Sequence, residues 1–210
     1  HKMEILKVED LSFKYPDCGE PAVKNVSFSI ERGEFTVLCG ATGSGKSTLL
    51  RIIQEKLPHK GIVRWNSNVK ISYFEQESTN LNRELTVMEE LHSRYPSLSE
   101  LEVRSLLAQV RLVGENVFKE TGVISGGERA KLCFAIMMQE HGNVLILDEP
   151  TNHLDLSTKE AIEEALEEYT GTIIFVSHDR YLLSKIADRL IELTDGGYRC
   201  HNFGFEKYLD

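Results

Sequence analysis

Short apolar runs alternate with amphipathic stretches along this chain of 210 residues. The apolar runs, rich in β-branched residues, predict strands at 5–8, 26–30, 35–39, 62–65, 69–74, 144–147, 173–176, 190–193 and 198–201. A helix is predicted over 46–57. Three further helix starts are predicted where Ser or Thr precedes Glu by three residues, at Thr86, Ser99 and Ser157.

Strands that alternate with helices indicate an α/β fold. The stretch from about 78 to 124 is almost purely helical, which is typical of an inserted subdomain. The sequence therefore predicts one domain over 1–210. Its core would comprise 3–76 and 141–210 and begin with β-rich sequence, and a helical subdomain would occupy about 78–140.

Composition narrows the function classes. The chain carries 24 Lys and Arg against 33 Asp and Glu, a net charge of −9, which disfavours direct non-specific binding to nucleic acid. No apolar run approaches the roughly 18 residues needed to span a bilayer. The four cysteines lie far apart, so neither a zinc site nor a disulfide framework is expected. Since no signal peptide is evident either, we expect a cytoplasmic protein.

A glycine-rich loop joins the strand at 35–39 to the helix at 46–57. It fits the phosphate-loop pattern G-x-x-x-x-G-K-[ST] over Gly40, Ala41, Thr42, Gly43, Ser44, Gly45, Lys46 and Ser47. Backbone N–H groups of such a loop surround phosphate oxygens, and the helix N-terminus adds a favourable dipole. Lys46 would contact the β- and γ-phosphates, and Ser47 would bind Mg²⁺. A nucleoside triphosphate site that extends to Thr48 is therefore predicted.

An acidic pair follows the strand at 144–147, where α/β sheets place their ligands. Asp148 is predicted to hold Mg²⁺, which prefers hard oxygen ligands. Glu149 is predicted to accept a proton from the attacking water. The alternative, two solvated carboxylates at a strand end, is disfavoured by the phosphate loop in the same chain.

A second glycine motif, Ser125-Gly126-Gly127-Glu128, lies between the phosphate loop and Asp148. It would cap a helix through Lys131 to Gln139, so that N–H groups, a hydroxyl and a helix dipole meet at one anion site. With the phosphate loop and the acidic pair, it resembles the signature of ABC-family ATPases. The resemblance implies an ABC-type P-loop NTPase fold, α/β, with a mainly parallel core sheet, an N-terminal antiparallel β subdomain and an inserted helical subdomain.

The resemblance also assigns roles to three further residues. Tyr15 resembles the aromatic residue that stacks on adenine; a half-buried tyrosine at a strand end is the alternative. Gln76 resembles the glutamine that senses Mg²⁺ and the attacking water; a solvated loop glutamine is the alternative. His178 resembles the histidine that contacts the γ-phosphate, although a lone histidine is more often structural. Catalysis would thus use Glu149, His178, Gln76 and Lys46, with Mg²⁺ bound by Ser47, Gln76 and Asp148.

Motifs after about residue 60 narrow the resemblance to the ABC-F subfamily, the translation-associated branch. They include Tyr73–Glu77, Leu147–Asp155, Ser177–Leu183 and Glu128 itself. Members of that branch carry two ATPase domains on one chain, whereas this sequence holds one. Its first 55 or so residues look more like ATPase subunits of membrane importers, so an excised domain and a chimera of two relatives both stay open.

In the family, the phosphate loop of one copy and the signature of another enclose the same ATP. The resemblance therefore implies an ATP-dependent homodimer that hydrolyses ATP. Three classes of function stay open: an ABC-F ATPase whose partner is the ribosome, the ATPase subunit of a membrane transporter, and a non-hydrolysing ATP switch. Glu149 and His178 disfavour the third.

Overall fold

The computed structural model describes residues 3–74 and 80–202. The strands are β1 (Glu4–Phe13), β2 (Val23–Glu31), β3 (Phe35–Gly40), β4 (Lys60–Trp65), β5 (Ile71–Phe74), β6 (Val144–Asp148), β7 (Thr172–Val176), β8 (Arg189–Thr194) and β9 (Gly197–His201). The helices are α1 (Lys46–Ile53), α2 (Val87–Arg94), α3 (Glu100–Gln109), α4 (Gly126–Gln139), α5 (Leu156–Glu167) and α6 (Arg180–Ile186), with a 3-10 helix at Gly114–Phe118.

The chain divides into two compact units. Within the described ranges, the first comprises 3–71, 142–149 and 170–202, and the second comprises 72–74, 80–141 and 150–169. The predicted division assigned 72–76 and 150–169 to the core, whereas 72–74 and 150–169 belong to the second unit of the structure. In the structure α5 belongs with the helices, where Arg111 forms ion pairs with Glu160 and Glu164.

Two sheets form the first unit. One is antiparallel, in the order β2-β1-β4, and the other contains the order β6-β7-β3-β8-β9. From β6 to β8 the neighbours in this order are parallel, and β9 forms an antiparallel hairpin with β8. A parallel sheet is covered on both faces, and β7 is accordingly buried at every position. The predicted α/β class with an antiparallel N-terminal part is confirmed.

Strand register decides where the carboxyl ends of the core strands lie. Val176 pairs with Leu38 on β3 and with Asp148 on β6. The ends of β6 and β7 are therefore level and β3 continues to Gly40, so the loops that follow all three strands begin at one edge of the sheet. Ligands of open α/β sheets bind at this edge.

Helix α1 is shorter than the predicted 46–57. It ends at Ile53, because Gln54 leaves helical geometry and Glu55 adopts a positive φ of 60°. The indole N–H of Trp65 donates to the Ile53 carbonyl at 2.8 Å, which satisfies one of the acceptors at the helix end.

Capping boxes start helices in the second unit. Thr86 and Ser99 cap α2 and α3 as predicted, each with the Glu three residues later. The predicted cap at Ser157 is wrong. Helix α5 begins at Leu156, because Asp155 is extended and its carboxylate accepts the Thr158 N–H at 3.0 Å. Buried side chains from several helices fill this unit, among them Leu91, Val103, Leu107 and Phe134.

Candidate active site

The glycine loop at 40–47 joins β3 to α1 in the first unit. Gly40 and Gly45 have φ values of 137° and 92°, a region that side chains rarely occupy. A Cβ on Gly40 would also lie 2.5 Å from the Leu193 carbonyl oxygen, and one on Gly45 would collide with the Ala22 carbonyl. The loop conformation therefore requires glycine at both positions, and Gly45 leads directly into the N-terminus of α1.

Lys46 lies in the first turn of α1, and its side chain folds back over the loop. The residue is only 7% exposed. Its ammonium group donates to the carbonyl oxygens of Gly40 and Ala41 at 2.8 and 2.9 Å. The lysine charge is therefore held at the loop whose N–H groups would bind phosphate.

The hydroxyl of Ser47 and the carboxylate of Asp148 come together although 101 residues separate them. Ser47 Oγ and Asp148 Oδ1 are 3.4 Å apart, so one cation could be held by both oxygens. A hydroxyl and a carboxylate are hard oxygen donors, which fits Mg²⁺. The described ranges contain no cluster of three or more His, Cys, Asp or Glu residues that could hold a metal by itself. The remaining ligands would have to come from phosphate and water.

Glu149 follows Asp148 and turns sharply away from the end of β6. Its φ is 49°, uncommon for a residue with a side chain, and its N–H donates to the Val176 carbonyl at 2.8 Å. One carboxylate oxygen lies 3.2 Å from Nε2 of His178, and the other accepts the His178 backbone N–H at 3.3 Å. The backbone and the histidine thus fix the orientation of this carboxylate.

Burial raises the pKa of Glu149 above its ordinary value, because it disfavours the ionised form. His178 lowers that pKa by its charge and its backbone hydrogen bond, and Lys46 also lowers it, whereas the adjacent Asp148 carboxylate raises it. The net shift is upward. A glutamate with a raised pKa is a stronger base once it has lost its proton, which suits a proton acceptor.

Tyr15 lies beyond the end of β1, half-buried. Its hydroxyl is 3.2 Å from the Thr48 hydroxyl on α1, and its ring contacts Phe13 edge to face at 4.8 Å between centroids. The first contact connects the tyrosine to the start of the phosphate-loop helix, and the second connects it to the end of β1. A stacking role and a structural role are each compatible with this position.

The second glycine motif lies in the second unit, at the start of α4. Ser125 is the N-cap: its Oγ accepts the Glu128 N–H at 3.1 Å, and Glu128 accepts the Ser125 N–H at 2.8 Å. A Cβ on Gly127 would lie 2.6 Å from Thr158 Oγ1 and 2.7 Å from an Asp155 carboxylate oxygen, whereas one on Gly126 would meet nothing. Glycine at 127 is therefore needed for packing against α5.

The structure brings most predicted residues together within each unit. Lys46, Ser47, Asp148, Glu149 and His178 lie near one sheet edge of the first unit. Ser125, Gly126 and Gly127 share one helix start in the second. Gln76 lies outside the described residues, so its predicted role stays a prediction. The contacts of Gly127 with the α5 cap and of Lys119 with Glu128 had no sequence signal, because neither joins residues at a helical or strand spacing.

Comparison with known proteins supplies the family. The family model for ABC transporters matches residues 23–152, a range that holds the phosphate loop, the Ser125 motif and the acidic pair. The chain belongs to the ABC transporter family. It is an ABC-type ATPase domain, which confirms the predicted family, enzyme class and ATP as ligand. No helix within the described ranges of this ABC domain has the length and apolar character required to cross a membrane.

Several relatives resemble this ABC domain along nearly its whole length. It is 45% identical over 208 residues to the putative ATP-binding protein YdiF of Bacillus subtilis, covering 99% of this chain and 32% of YdiF. It is 38% identical over 214 residues to ABC transporter F family member 5 of Arabidopsis thaliana, covering 98% of this chain and 30% of that protein. The energy-dependent translational throttle protein EttA of Escherichia coli is 34% identical over 199 residues, covering 92% of this chain and 36% of EttA.

This ABC domain spans about a third of the length of those curated relatives. The YdiF alignment also crosses residues 50–60, so a single natural protein resembles both the N-terminal segment and the remainder. The hypothesis of a chimera stays a prediction.

Solved structures give the same fold. A dimeric ATP-binding cassette in a post-hydrolysis state, bound to ADP and Pi, matches with a TM-score of 0.75 and 26% identity over 94% of this chain and 98% of that one. An ATP-binding subunit of an ABC transporter matches with a TM-score of 0.77 and 25% identity, over 94% of this chain and 90% of that one.

Proposed function

We propose that this domain binds MgATP and hydrolyses it to ADP and phosphate when two copies meet head to tail. One observation carries the proposal: a phosphate loop with its lysine, the Ser47–Asp148 oxygen pair and the Glu149–His178 pair all lie near one edge of one sheet. Each of these three groups meets a different requirement of phosphoryl transfer, namely phosphate binding, a cation site and a proton acceptor.

The triphosphate binds along the loop at 40–47, and its charge is offset by the N–H groups, the α1 N-terminus and Lys46. Lys46 exchanges its carbonyl partners on Gly40 and Ala41 for phosphate oxygens. Ser47 and Asp148 would hold Mg²⁺, and the ion would supply positive charge against the β- and γ-phosphates. Tyr15 offers its ring to the base, where stacking discriminates weakly between nucleobases because it uses only the π-face.

Hydrolysis follows by in-line attack of water on the γ-phosphorus, with the bond to the ADP oxygen breaking. Glu149 accepts the proton of the attacking water, held in place by His178. Lys46 and His178 stabilise the charge that develops on the transferring phosphoryl group. Gln76 is assigned to the same water and cation by resemblance alone.

A second copy completes the site. One loop, one lysine and one cation leave part of the γ-phosphate charge without a partner. Ser125, Gly126 and Gly127 of a second copy offer a hydroxyl, N–H groups and a helix N-terminus. The relative that is dimeric with ADP and Pi supports this arrangement.

The names of the relatives favour a translation-associated, ABC-F type of ATPase, with the ribosome as the larger partner. The alternative is the ATPase subunit of a membrane transporter. It is favoured by the importer-like first 55 or so residues and by the structural similarity to a transporter subunit. Sedimentation of the full chain with ribosomes, compared with membranes, distinguishes the two.

The test of the proposed function is the ATPase rate as a function of protein concentration. If sites form between copies, the rate rises with the square of concentration in dilute solution and becomes linear once dimers predominate. A rate that is strictly proportional to concentration from the lowest value, with maximal turnover in a verified monomer, would contradict the proposal.

A further inference from the structure

A cavity of about 460 Å³ lies beside the end of β1 in the first unit. Its volume is within the range of small-molecule sites, roughly 300–1,000 Å³. The end of β1 has a neighbouring strand on either side, because Phe13 pairs with Val23 on β2 and Ser12 pairs with Lys60 on β4. The segments that precede β2 and β4 therefore meet at this end of β1, and both of them line the cavity.

Three rings form the apolar part of the lining, those of Phe13, Pro21 and Pro58. The Phe13 carbonyl accepts the Ala22 N–H at 2.8 Å, which holds the segment of Pro21 at the end of β1. The ring of each proline also fixes its own φ. These rings present flat apolar surfaces, so they suit a planar ring of a ligand.

The rest of the lining is mainly basic. Lys14, His59 and Lys60 border the same cavity, and none of its described lining residues is acidic. Within the described ranges neither of these two lysines forms an ion pair, whereas Lys7 on the same sheet is paired with Glu9 at 2.7 Å. The cavity therefore has positive charge that is not paired with a carboxylate, in a chain with 33 acidic and 24 basic residues.

We propose that this cavity is a second ligand site, for a small organic phosphate whose planar ring contacts the three apolar rings and whose phosphate accepts hydrogen bonds from Lys14, His59 and Lys60. A phosphate monoester carries a charge of roughly −1.5 to −2 at neutral pH, which matches two unpaired ammonium groups better than a carboxylate does. The site is separate from the phosphate loop, because neither Tyr15 nor any residue of 40–47 lines it.

A single-stranded nucleic acid carries the same two groups, a planar base and a phosphate. The chain has a net charge of −9, which repels a polyanion along its whole length over about a Debye length. A small phosphate contacts only the basic side chains of the cavity and is repelled much less. The observations therefore favour the small ligand.

The test measures binding of 4-methylumbelliferyl phosphate, a planar ring with one phosphate, to the full chain by equilibrium dialysis. Saturating MgADP is present throughout, so that the phosphate loop is occupied. We expect saturable binding of one probe per chain. Inorganic phosphate, which lacks the ring, and 4-methylumbelliferone, which lacks the phosphate, should each bind at least about tenfold more weakly, because each loses one of the two kinds of contact.

Three variants locate the probe. Lys14→Met and Lys60→Met each remove one unpaired charge and should weaken probe binding about fivefold, the upper end for an exposed charge pair. Lys7→Met is the matched control: it removes the same charge from β1 but lies outside the cavity lining, and it should leave the affinity for the probe unchanged.

Several outcomes would overturn the inference. These are absence of saturable binding, binding that MgADP abolishes, and equal affinity for the probe and 4-methylumbelliferone. A loss in Lys7→Met as large as that in Lys60→Met would overturn it too. So would tighter binding of a single-stranded oligouridylate than of the probe, since the cavity would then serve a nucleic acid. None of these measurements requires hydrolysis, so failure of the proposed function leaves their result unchanged.

Discussion

At the scale of single residues, the proposed chemistry depends on the protonation of one carboxylate. Glu149 is held by His178 through both of its oxygens and adopts a positive φ directly after a core strand. A backbone geometry of this kind costs energy and tends to occur at functional sites. The position of this side chain is therefore determined by backbone and neighbours together.

Glu149→Gln should retain ATP binding and lower the hydrolysis rate roughly 100-fold or more, because glutamine cannot accept the proton. The measurement is phosphate release at saturating ATP, with ATP affinity determined separately. Lys46→Ala is the contrasting variant, in which binding itself should weaken. Wild-type turnover in Glu149→Gln would remove Glu149 from the role of base.

The pH profile should report the same carboxylate. Burial raises the pKa of Glu149, and the base acts only when ionised, so activity should fall as the pH drops through that raised value. We expect the acid limb of the ATPase rate to lie above the ordinary glutamate range, and Glu149→Gln to lack this limb in its residual activity. An acid limb at or below the usual glutamate pKa would contradict the assignment.

At the scale of elements, α4 and α5 pack against each other at their N-terminal ends. Gly127 packs against the Asp155–Thr158 cap, whose two side chains are hydrogen-bonded at 2.8 Å. This contact lies entirely within the second unit. It gives Gly127 a structural requirement that is independent of any bound phosphate.

Gly127→Ala should therefore destabilise the free protein by about 1–3 kcal/mol, because the added methyl group displaces the α5 cap. Gly126→Ala is the matched control. It lies one residue away with open space around its Cβ position, and alanine favours the helix by up to about 1 kcal/mol. Urea unfolding without nucleotide, followed by far-UV circular dichroism, measures both. Equal midpoints for the two variants would contradict the packing argument.

The same elements show which features of the fold and the site could be predicted from the sequence. The phosphate loop could be predicted because its geometry is encoded in consecutive residues, where Gly40 and Gly45 meet steric requirements that only glycine satisfies. The cap of α5 could not be predicted, since Asp155 and Ser157 are both residue types that cap helices well, and tertiary contacts select Asp155. The Lys119–Glu128 pair joins an irregular segment to a helix, and no periodicity links residues in such segments.

At the scale of the whole molecule, charge opposes assembly. Each copy carries a formal net charge of −9, and each bound triphosphate adds more negative charge. Repulsion between two such copies acts over about a Debye length, roughly 10 Å at 0.1 M salt. The proposed contacts of the Ser125 motif with phosphate would be direct and enclosed between the two copies, where salt screens them much less.

Salt should therefore promote the ATP-driven dimer. We expect the dimer fraction of Glu149→Gln with MgATP to increase as NaCl rises from about 0.05 to 0.3 M, since screening weakens the long-range repulsion. Sedimentation velocity at fixed protein concentration measures it, and the same titration with ADP in place of ATP is the control, because ADP offers no γ-phosphate to the second copy. A dimer that dissociates as salt rises would mean that exposed ion pairs across the interface outweigh the net charge.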